Sequence, residues 1–492
     1  MALRLYNTLS GQIETIAPQP GQPLGIYACG PTVYDYGHIG NFRTFVQVDI
    51  LRRFLKQQKV PLRHVMNITD VDDKIMRNAT AAGQSIGDYT AKYEKAFLED
   101  LAALAIEKPE FLARATDHIP QMVRLVEQLV KRDSAYRGEN GSYYFRIASF
   151  PGYGKLSKKD LDGMEDGARV DVDEYDKDSA RDFALWKAAK PDEFHWDTTL
   201  GAGRPGWHIE CSAMATEYLG ETFDLHTGGE DLMFPHHENE IAQSESASGK
   251  TFARHWMHVR FLLVEGKKMS KSLGNFYTLR DLLLRGYKAS AIRFLLTSVP
   301  YRNQLNFTFD GLIESTNAVE RLRTFAERLR KGGFPGGSNA ALLSATHHAE
   351  AAFTAALEDD LNTAEARAAI FDLVRAANSY ADRGELQNEN VSSILEVLAR
   401  FDAVFAVLED RDEEVTRFAL KWAQQEQRLD EVSPELSAGY SLTDEVIDGL
   451  IAERNAARKS RNFARADAIR QELAAKGILI EDGADGARWR RK

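Results

Sequence analysis

The sequence predicts an α/β protein whose doubly wound parallel sheet is split by an insertion and is followed by a helical bundle and a small C-terminal domain. Residues 24–29 form a short apolar run that predicts a strand and ends at Gly30-Pro31. Apolar residues at helical spacing predict a helix over 42–54, and residues 62–68 predict a second strand. Strand, helix and strand in this order form a βαβ unit, which implies a parallel sheet.

The same architecture resumes much later in the chain. Residues 223–226 and 257–260 are strand-like, and a helix is predicted to begin near Pro235. Between the two halves, residues 92–200 interrupt the pattern with helical segments, a turn-rich stretch and an acidic run at 171–178. We therefore predict that an inserted domain splits the sheet.

The remainder of the chain is predicted to be mainly helical. Heptad-like patterns at 318–329 and 351–407 predict a helical bundle, which a Gly/Pro linker at 331–337 interrupts. An acidic connector covers 409–414, and residues 444–475 predict two further helices. Several domains are expected in a chain of 492 residues. The predicted segments are the first half of the sheet domain (1–91), the insertion (92–200), the second half of the sheet domain (201–262), a region with a lysine-rich loop (263–310), the helical bundle (311–408), the acidic connector (409–443) and the C-terminal domain (444–492).

Composition favours a globular protein in a reducing compartment. The chain is 43% hydrophobic and 27% charged, and no apolar run reaches the roughly 20 residues that a membrane helix needs, so we expect a cytoplasmic protein without a membrane partner. Its two cysteines, Cys29 and Cys211, exclude a disulfide scaffold but leave a single bridge between them open.

The net charge of −11 restricts any nucleic-acid contact to a local surface, because binding to a phosphate backbone depends on lysine and arginine. The best candidate for an RNA contact is the C-terminal stretch, whose basic residues are Arg454, Arg458, Lys459, Arg461, Arg465, Arg470, Lys476, Arg488, Arg490, Arg491 and Lys492.

Two cysteines, a histidine and a glutamate form a candidate metal site. His236 and Glu240 are four residues apart and would share one face of the predicted helix. With Cys29 and Cys211 they offer two thiolates, one imidazole and one carboxylate, a set that favours zinc. The alternative interpretation is a solvated His/Glu pair and two core cysteines. By spacing, two neighbours are alternative ligands, His237 and Glu238.

Two further motifs suit phosphate chemistry. His38-Ile39-Gly40-Asn41 lies where the loop after the first strand enters a helix, and a helix N-terminus binds phosphate through free amides and its dipole. The alternative is that His38 only caps this helix. Residues 267–272 form a lysine-rich loop between two glycines that can close over a triphosphate and stabilise leaving pyrophosphate. Together, the motifs predict a split Rossmann-like nucleotide-binding catalytic domain.

Residues 38–41 and 268–272 resemble the His-Ile-Gly-His and Lys-Met-Ser-Lys-Ser signatures of class I aminoacyl-tRNA synthetases. Three other segments, at 29–34, 206–212 and 233–240, are similar to cysteinyl-tRNA synthetases, and the likeness extends over the whole chain. The resemblance implies that 92–200 is a connective-polypeptide insertion and that 444–492 is an anticodon-binding domain.

The resemblance also implies roles for individual residues. One zinc ion per chain would be held by Cys29, Cys211, His236 and Glu240. The substrate thiolate would be an additional ligand, so that serine is rejected without an editing domain. The implied catalytic residues are His38, Asn41, Lys268 and Lys271. The implied ATP contacts, with Mg2+ bound to ATP, are Gly37, His38, Gly40, Asn41, Gly229, Asp231 and Lys271. The implied amino-acid pocket contains Thr69, Trp207 and His226.

The first signature departs from the family pattern at Asn41, which stands in place of histidine. An asparagine amide donates a hydrogen bond but carries no charge, so phosphate stabilisation there is expected to be weaker. The implied activity is ligation of L-cysteine to tRNA(Cys) with ATP, by a monomer. The alternatives are a ligase that joins cysteine to an amino sugar in mycothiol synthesis, and a non-catalytic RNA-binding paralogue. The C-terminal region and the intact His38, Lys268, Lys271 and metal ligands argue against them.

Overall fold

The computed structural model describes residues 3–158, 182–191, 193–442, 444–483 and 486–491. The acidic run predicted at 171–178 and the basic Lys492 lie outside these residues. Within them, no helix is long and apolar enough to cross a membrane. The chain forms two compact units: the first contains Met1–Phe276 and Arg293–Leu408, and the second contains Tyr277–Ile292 and Glu409–Lys492.

Among the described residues, the strands pair into five sheets, four of which lie in the first unit. The strands are β1 (Arg4–Asn7), β2 (Gln12–Thr15), β3 (Leu24–Ala28), β4 (Leu62–Ile68), β5 (Phe111–Arg114), β6 (Ala135–Arg137), β7 (Tyr143–Phe145), β8 (Phe183–Ala188), β9 (Gly203–Pro205), β10 (Phe223–Gly229), β11 (Ala253–Val259), β12 (Leu262–Val264), β13 (Lys267–Lys268), β14 (Leu305–Phe307), β15 (Ile478–Gly483) and β16 (Gly486–Arg491).

The helices lie between these strands along the chain. They are α1 (Ile39–Gln57), α2 (Asp73–Ala82), α3 (Ile86–Ala103), α4 (Ile119–Lys131), α5 (Trp207–Leu219), α6 (Glu238–Ser248), α7 (Leu279–Leu284), α8 (Ala289–Leu296), α9 (Phe309–Lys331), α10 (Ala340–Glu358), α11 (Thr363–Asp382), α12 (Asn388–Phe405), α13 (Asp412–Gln425), α14 (Pro434–Gly439), α15 (Asp444–Lys459) and α16 (Phe463–Ala475).

The predicted parallel sheet is confirmed. Five strands lie in the order β11-β10-β3-β4-β5, and every neighbouring pair is parallel. All five residues of β3 are buried, as expected for a strand in the middle of a sheet that is covered on both faces. Because β3 and β10 are adjacent, the loops that follow them meet at one edge of the sheet, and this edge carries the candidate site.

The sheet extends further along the chain than predicted. Strand β5 pairs in parallel with β4, although Phe111–Arg114 falls inside the segment 92–200 that we predicted to be an insertion. A separate sheet within the predicted insertion begins only after β5. It consists of β6, β7, β8 and β9, which form a four-stranded antiparallel sheet. The boundary at residue 91 is therefore too early, since α3 leads into a strand of the main sheet.

The predicted helical bundle is confirmed as α9, α10, α11 and α12. Their apolar faces form a core with residues such as Leu322, Phe353, Ile370 and Phe401, all at most 1% exposed. The Gly/Pro linker lies between α9 and α10, as the sequence predicts. The bundle packs against the same core as α1, because Ile50 and Phe54 belong to that cluster.

The second unit combines α7 and part of α8 with α13 to α16 and the hairpin of β15 and β16. The two helices predicted within 444–475 are confirmed as α15 and α16. Their small core contains Ile447, Ile469 and Leu473. Residues 277–292, which we predicted to belong with the lysine-rich loop, are part of this unit instead.

Candidate active site

The four predicted metal ligands come together at one edge of the main sheet. Cys29 directly follows β3, and Cys211 lies in the second turn of α5. A wide, irregular helical turn at Met233–His237 precedes α6 and carries His236, while Glu240 lies in the first turn of α6. All four side chains are buried, with exposures of 6, 1, 2 and 0% in chain order.

The distances among these side chains fit a tetrahedral zinc site. The two sulfur atoms are 3.9 Å apart, and His236 Nε2 is 3.1 Å from Glu240 Oε1. Ligands about 2.3 Å from a tetrahedral zinc ion lie about 3.8 Å apart, and those at about 2.0 Å lie about 3.3 Å apart. One donor atom from each of the four residues lies within 4.8 Å of all the others. Both cysteines are free thiols, so the alternative of a disulfide between them is wrong.

The alternative ligands predicted by spacing separate clearly in the structure. His237 belongs to a second cluster with Cys29, His226 and Glu240, and its Nε2 is 3.3 Å from the Cys29 sulfur. Its Nδ1, however, lies 2.8 Å from His258 Nε2, which fixes the ring from behind. The first cluster offers both sulfurs and therefore suits zinc better.

Glu238, the other alternative ligand, points away from this group. Its carboxylate accepts hydrogen bonds from the backbone amides of Gly154, Leu156 and Ser157. It therefore binds the turn-rich stretch of the insertion and is absent from both metal clusters of the described residues.

Burial without a bound cation disfavours the charged forms of the four candidate ligands. Desolvation raises the pKa of the Cys29 thiol well above its usual range, and Cys211 and Glu240 add to the effect. Burial also raises the pKa of Glu240 to about 7 and lowers that of His236 to about 3. A bound cation would favour the thiolates and the carboxylate, because metal ligands must be deprotonated.

Aromatic and histidine side chains enclose the ligands. The Trp207 ring stacks on His236 with centroids 4.2 Å apart, yet the residue is 41% exposed. His208 Nδ1 lies 2.9 Å from His236 Nδ1 and holds the ring from its other side. The Trp207 ring thus covers the His236 imidazole, and part of the indole itself remains open to solvent. The sequence did not indicate His208, because a single polar residue near the start of a helix has no spacing or motif that would mark it as functional.

His226 lies behind Glu240 and not on the open side. It is 0% exposed, its Nε2 is 2.9 Å from Glu240 Oε2, and its ring stacks on Trp256 at 4.3 Å. Its Nδ1 has no hydrogen-bond partner among the described residues. The side chain therefore orients a candidate ligand.

Thr69 belongs to a chain of hydrogen bonds beside the cysteines. The Gly30 amide donates to Asn67 Oδ1 at 2.8 Å, and Asn67 Nδ2 donates to Thr69 Oγ1 at 3.2 Å. The Thr69 hydroxyl in turn donates to Glu210 Oε2 at 2.7 Å. The approach is close, since a Cβ at Gly30 would lie 1.8 Å from the Asn67 carbonyl oxygen. The chain thus connects the residue after Cys29 with the residue before Cys211.

The first signature motif forms a reciprocal cap at the start of α1. His38 Nδ1 accepts from the Asn41 amide at 3.1 Å, and Asn41 Oδ1 accepts from the His38 amide at 3.2 Å. Burial, with a contribution from Lys271, lowers the pKa of His38 to about 4, so the ring is neutral near pH 7. The capping alternative for His38 is therefore correct in geometry, and its Nε2 remains available. Asn41 Nδ2 donates to no residue in the described part of the chain.

The lysine-rich loop lies against this cap. A Cβ at Gly40 would be 3.0 Å from the His38 ring and 3.3 Å from the methyl group of Met269. Lys271 Nζ lies 2.8 Å from Asp35 Oδ2, a partner that the sequence did not indicate, and the hydrogen bond raises the pKa of Lys271. Lys268 is exposed at the end of β13. The structure thus brings the two phosphate motifs together, as predicted.

The remaining predicted residues surround the same edge of the sheet. Gly37 packs on Phe42, whose ring would be 3.0 Å from a Cβ at that glycine. Gly229 is the last residue of β10. The carboxylate of exposed Asp231 folds back towards it, so that a Cβ added at Gly229 would lie 2.4 Å from Asp231 Oδ1. A side chain at Gly229 would therefore displace Asp231.

Comparisons with known proteins agree with this geometry. The family model for the catalytic domain of "tRNA synthetases class I (C)" matches residues 15–317, a DALR domain matches 352–409, and the "Cysteinyl-tRNA ligase anticodon binding domain" matches 442–490. The cysteine–tRNA ligases of Koribacter versatilis and Solibacter usitatus are 60% and 55% identical to this chain, each over the full length of both proteins. The chain belongs to the cysteinyl-tRNA synthetase family.

The family's class I fold is also seen in solved structures. Methionyl-tRNA synthetase of Mycobacterium tuberculosis, in complex with methionyl-adenylate, matches 86% of this chain and 95% of its own, with a TM-score of 0.55. At 16% sequence identity this likeness shows the fold alone. The family models, together with the observed fold, confirm the predicted class I catalytic domain, helical bundle and C-terminal domain.

Proposed function

We propose that this chain is a cysteine–tRNA ligase that converts L-cysteine, ATP and tRNA(Cys) into cysteinyl-tRNA, AMP and pyrophosphate. The observation that carries the proposal is the buried set of Cys29, Cys211, His236 and Glu240, which lies on the same sheet edge as the two phosphate motifs. A thiol-selecting site beside an ATP site suits an enzyme that activates cysteine.

The four ligands would hold one zinc ion per chain. A bound zinc ion would supply a thiophilic Lewis acid at this site, which favours a substrate with a thiol. His226 would keep the Glu240 carboxylate in place, and His208 would do the same for His236. The exposed Trp207 ring lines the open side, where the amino acid enters. Serine is rejected because a hydroxyl of high pKa is a poor replacement for a thiolate.

In the first step, an oxygen of the cysteine carboxylate attacks the α-phosphorus of ATP, and the bond to pyrophosphate breaks. The chain supplies alignment and charge, and no covalent nucleophile is needed. Neutral His38 and Asn41 would donate hydrogen bonds from Nε2 and Nδ2 to phosphate oxygens. Lys268 and Lys271, with Mg2+ on the nucleotide, would stabilise the leaving pyrophosphate.

Lys271 must exchange Asp35 for phosphate to do this. The pair is exposed, and such ion pairs contribute only about 0–1 kcal/mol, so the exchange costs little. Gly37, Gly40, Gly229 and Asp231 would shape the nucleotide pocket, since close contacts leave little space for side chains at the glycines.

In the second step, the 2′-hydroxyl of the terminal adenosine of tRNA attacks the carbonyl carbon, and AMP leaves. The C-terminal domain would read the anticodon through unstacked bases and basic side chains. Arg454 and Arg491 are nearly buried in ion pairs with Asp482, and with Glu413 and Asp444, so they stabilise the domain. The exposed basic residues that have no ion pair among the described residues are Lys459, Arg461 and Arg470, and we assign RNA contact to them.

The experiment measures cysteine-dependent ATP–pyrophosphate exchange, followed by transfer of labelled cysteine to tRNA(Cys) or to an amino sugar. Exchange together with transfer to tRNA supports the proposal. Transfer to the amino sugar alone would identify the mycothiol-type ligase, and absence of exchange would identify a non-catalytic RNA-binding protein. Size-exclusion chromatography with light scattering tests our expectation that the enzyme is a monomer.

A further inference from the structure

Four tyrosines form a cluster between the loop of the first phosphate motif and the helices α2 and α3. Tyr34 and Tyr36 belong to the loop between β3 and α1, and Tyr89 and Tyr93 lie on α3. The ring centroids of Tyr89 and Tyr93 are 5.1 Å apart, and those of Tyr36 and Tyr93 are 5.3 Å apart. The Tyr89 hydroxyl donates to the Tyr34 carbonyl oxygen at 2.8 Å. We call these four residues the tyrosine cluster.

The tyrosine cluster has a buried centre and a partly exposed aromatic surface. Tyr89 is buried in a small apolar core of α2 and α3, whereas the other three rings are partly exposed. An exposed lysine lies over two of these rings: Lys74 Nζ is 5.5 Å from the Tyr34 centroid, and Lys92 Nζ is 5.8 Å from the Tyr93 centroid. Aromatic faces beside cations suit single-stranded nucleic acid, because every base can stack and the cations meet the phosphates.

The tyrosine cluster adjoins the groups assigned to phosphate chemistry. Tyr36 is two residues from His38, and a chain spans at most about 3.6 Å per residue, so their Cα atoms are within about 7 Å of each other. Asp35, between Tyr34 and Tyr36, pairs with Lys271 of the lysine-rich loop. In the proposed reaction the terminal adenosine of tRNA reaches this edge of the sheet, so the unpaired nucleotides before it pass close to the cluster.

From this juxtaposition we propose that the tyrosine cluster binds the unpaired 3′ end of tRNA, with bases stacked on Tyr34 and Tyr93. The inference rests on the proposed function and adds an RNA-binding surface outside the C-terminal domain. A base that stacks on either ring displaces a lysine. The exchange is favourable, because a base stacked on an aromatic ring contributes more than a cation–π contact at an exposed site. The displaced Lys74 or Lys92 then pairs with the phosphate beside that base.

The experiment measures binding of tRNA(Cys) to the zinc-loaded, full-length protein by fluorescence anisotropy. It compares intact tRNA with tRNA that lacks its unpaired 3′ nucleotides. For Tyr93→Ala we expect intact tRNA to bind about tenfold more weakly, the effect of losing one stacked ring, and truncated tRNA to bind as it does to the wild type. Tyr93→Phe keeps the ring and should bind both within about twofold of the wild type. Lys74→Gln should reduce the slope of log affinity against log salt concentration by about 0.7 for intact tRNA, the value for one phosphate of a single strand.

A matched control is Tyr380→Ala, since Tyr380 is a partly exposed tyrosine of the helical bundle with Arg383 Cζ 4.7 Å from its ring centroid. It should change neither affinity. Cysteine-dependent pyrophosphate exchange, which needs no tRNA, should stay within about twofold in Tyr93→Ala. Equal weakening of both tRNAs would overturn the inference, as would an unchanged affinity of Tyr93→Ala for intact tRNA or a loss of exchange in this variant. If the wild type itself shows no exchange, the proposed function fails instead.

Discussion

Arg293 is a buried cation whose removal should destabilise the first unit. It lies on α8, and its Nη2 is 2.6 Å from Asp49 Oδ2, with both side chains 1% exposed. Its other nitrogens donate to the carbonyl oxygens of Leu104 at 2.9 Å and Phe405 at 2.5 Å. The guanidinium thus connects α1, the end of α3 and the end of α12. Arg293→Met keeps most of the volume but leaves these acceptors without a donor.

The expected loss of unfolding free energy depends on which hydrogen bonds Asp49 keeps after Arg293 is removed. Removing one member of a buried ion pair costs about 3–5 kcal/mol, because the other charge stays buried without compensation. Asp49 keeps a hydrogen bond from Arg53 at 2.8 Å and one from the Glu107 amide at 2.9 Å, so we expect the lower end, about 3 kcal/mol.

The assay is urea unfolding at pH 7, followed by tryptophan fluorescence, which reports on Trp186 and Trp256 in the core of this unit. A suitable control is Arg375→Met, because Arg375 pairs with Asp372 on the surface and is 77% exposed; it should shift the unfolding free energy by less than about 0.5 kcal/mol. A loss below about 1 kcal/mol for Arg293→Met would refute the reasoning, since it would mean that the buried charge of Asp49 is compensated without Arg293.

Four further predictions concern the metal, the two signature motifs and pH. Cys211→Ser should lower the zinc content measured by mass spectrometry and reduce the preference for cysteine over serine in pyrophosphate exchange; a full zinc content would remove Cys211 from the ligand set. Lys271→Ala should lower pyrophosphate exchange by about 100-fold without changing the zinc content, and an unaffected rate would exclude it from the chemistry. Asn41→His should leave exchange equal or higher, whereas a collapse would show that the cap with His38 depends on the amide. Burial and Arg52 lower the pKa of His64 to about 3, so the unfolded chain binds the extra proton and stability falls as pH drops below about 6.5. Between pH 7 and 5.5 this should cost about 1 kcal/mol in urea unfolding, and His64→Gln should remove that part of the slope.

The sequence predicts the parts of this fold that carry a repeating pattern. The strands β3 and β4 and the helices of the bundle have apolar periodicity, so they are found where expected. Strand β5 has four residues of which only Ala113 is buried, and such a segment shows no period. The assignment of 277–292 to the second unit likewise depends on long-range packing that no local pattern records.

In the candidate site, too, some residues are recognisable from the sequence and others only from their contacts in the structure. Cysteine is rare in this chain, and a signature loop is distinctive, so Cys29, Cys211 and Lys271 are visible without a structure. Asp35 and His208 are ordinary polar residues whose predicted roles depend on contacts with Lys271 and His236, made across 236 and 28 positions of sequence. The groups that would touch substrate or metal are therefore easier to recognise than those that orient them. Because an orienting residue is defined by its partner, its role becomes testable only when the partner is known, as His208 with His236 illustrates.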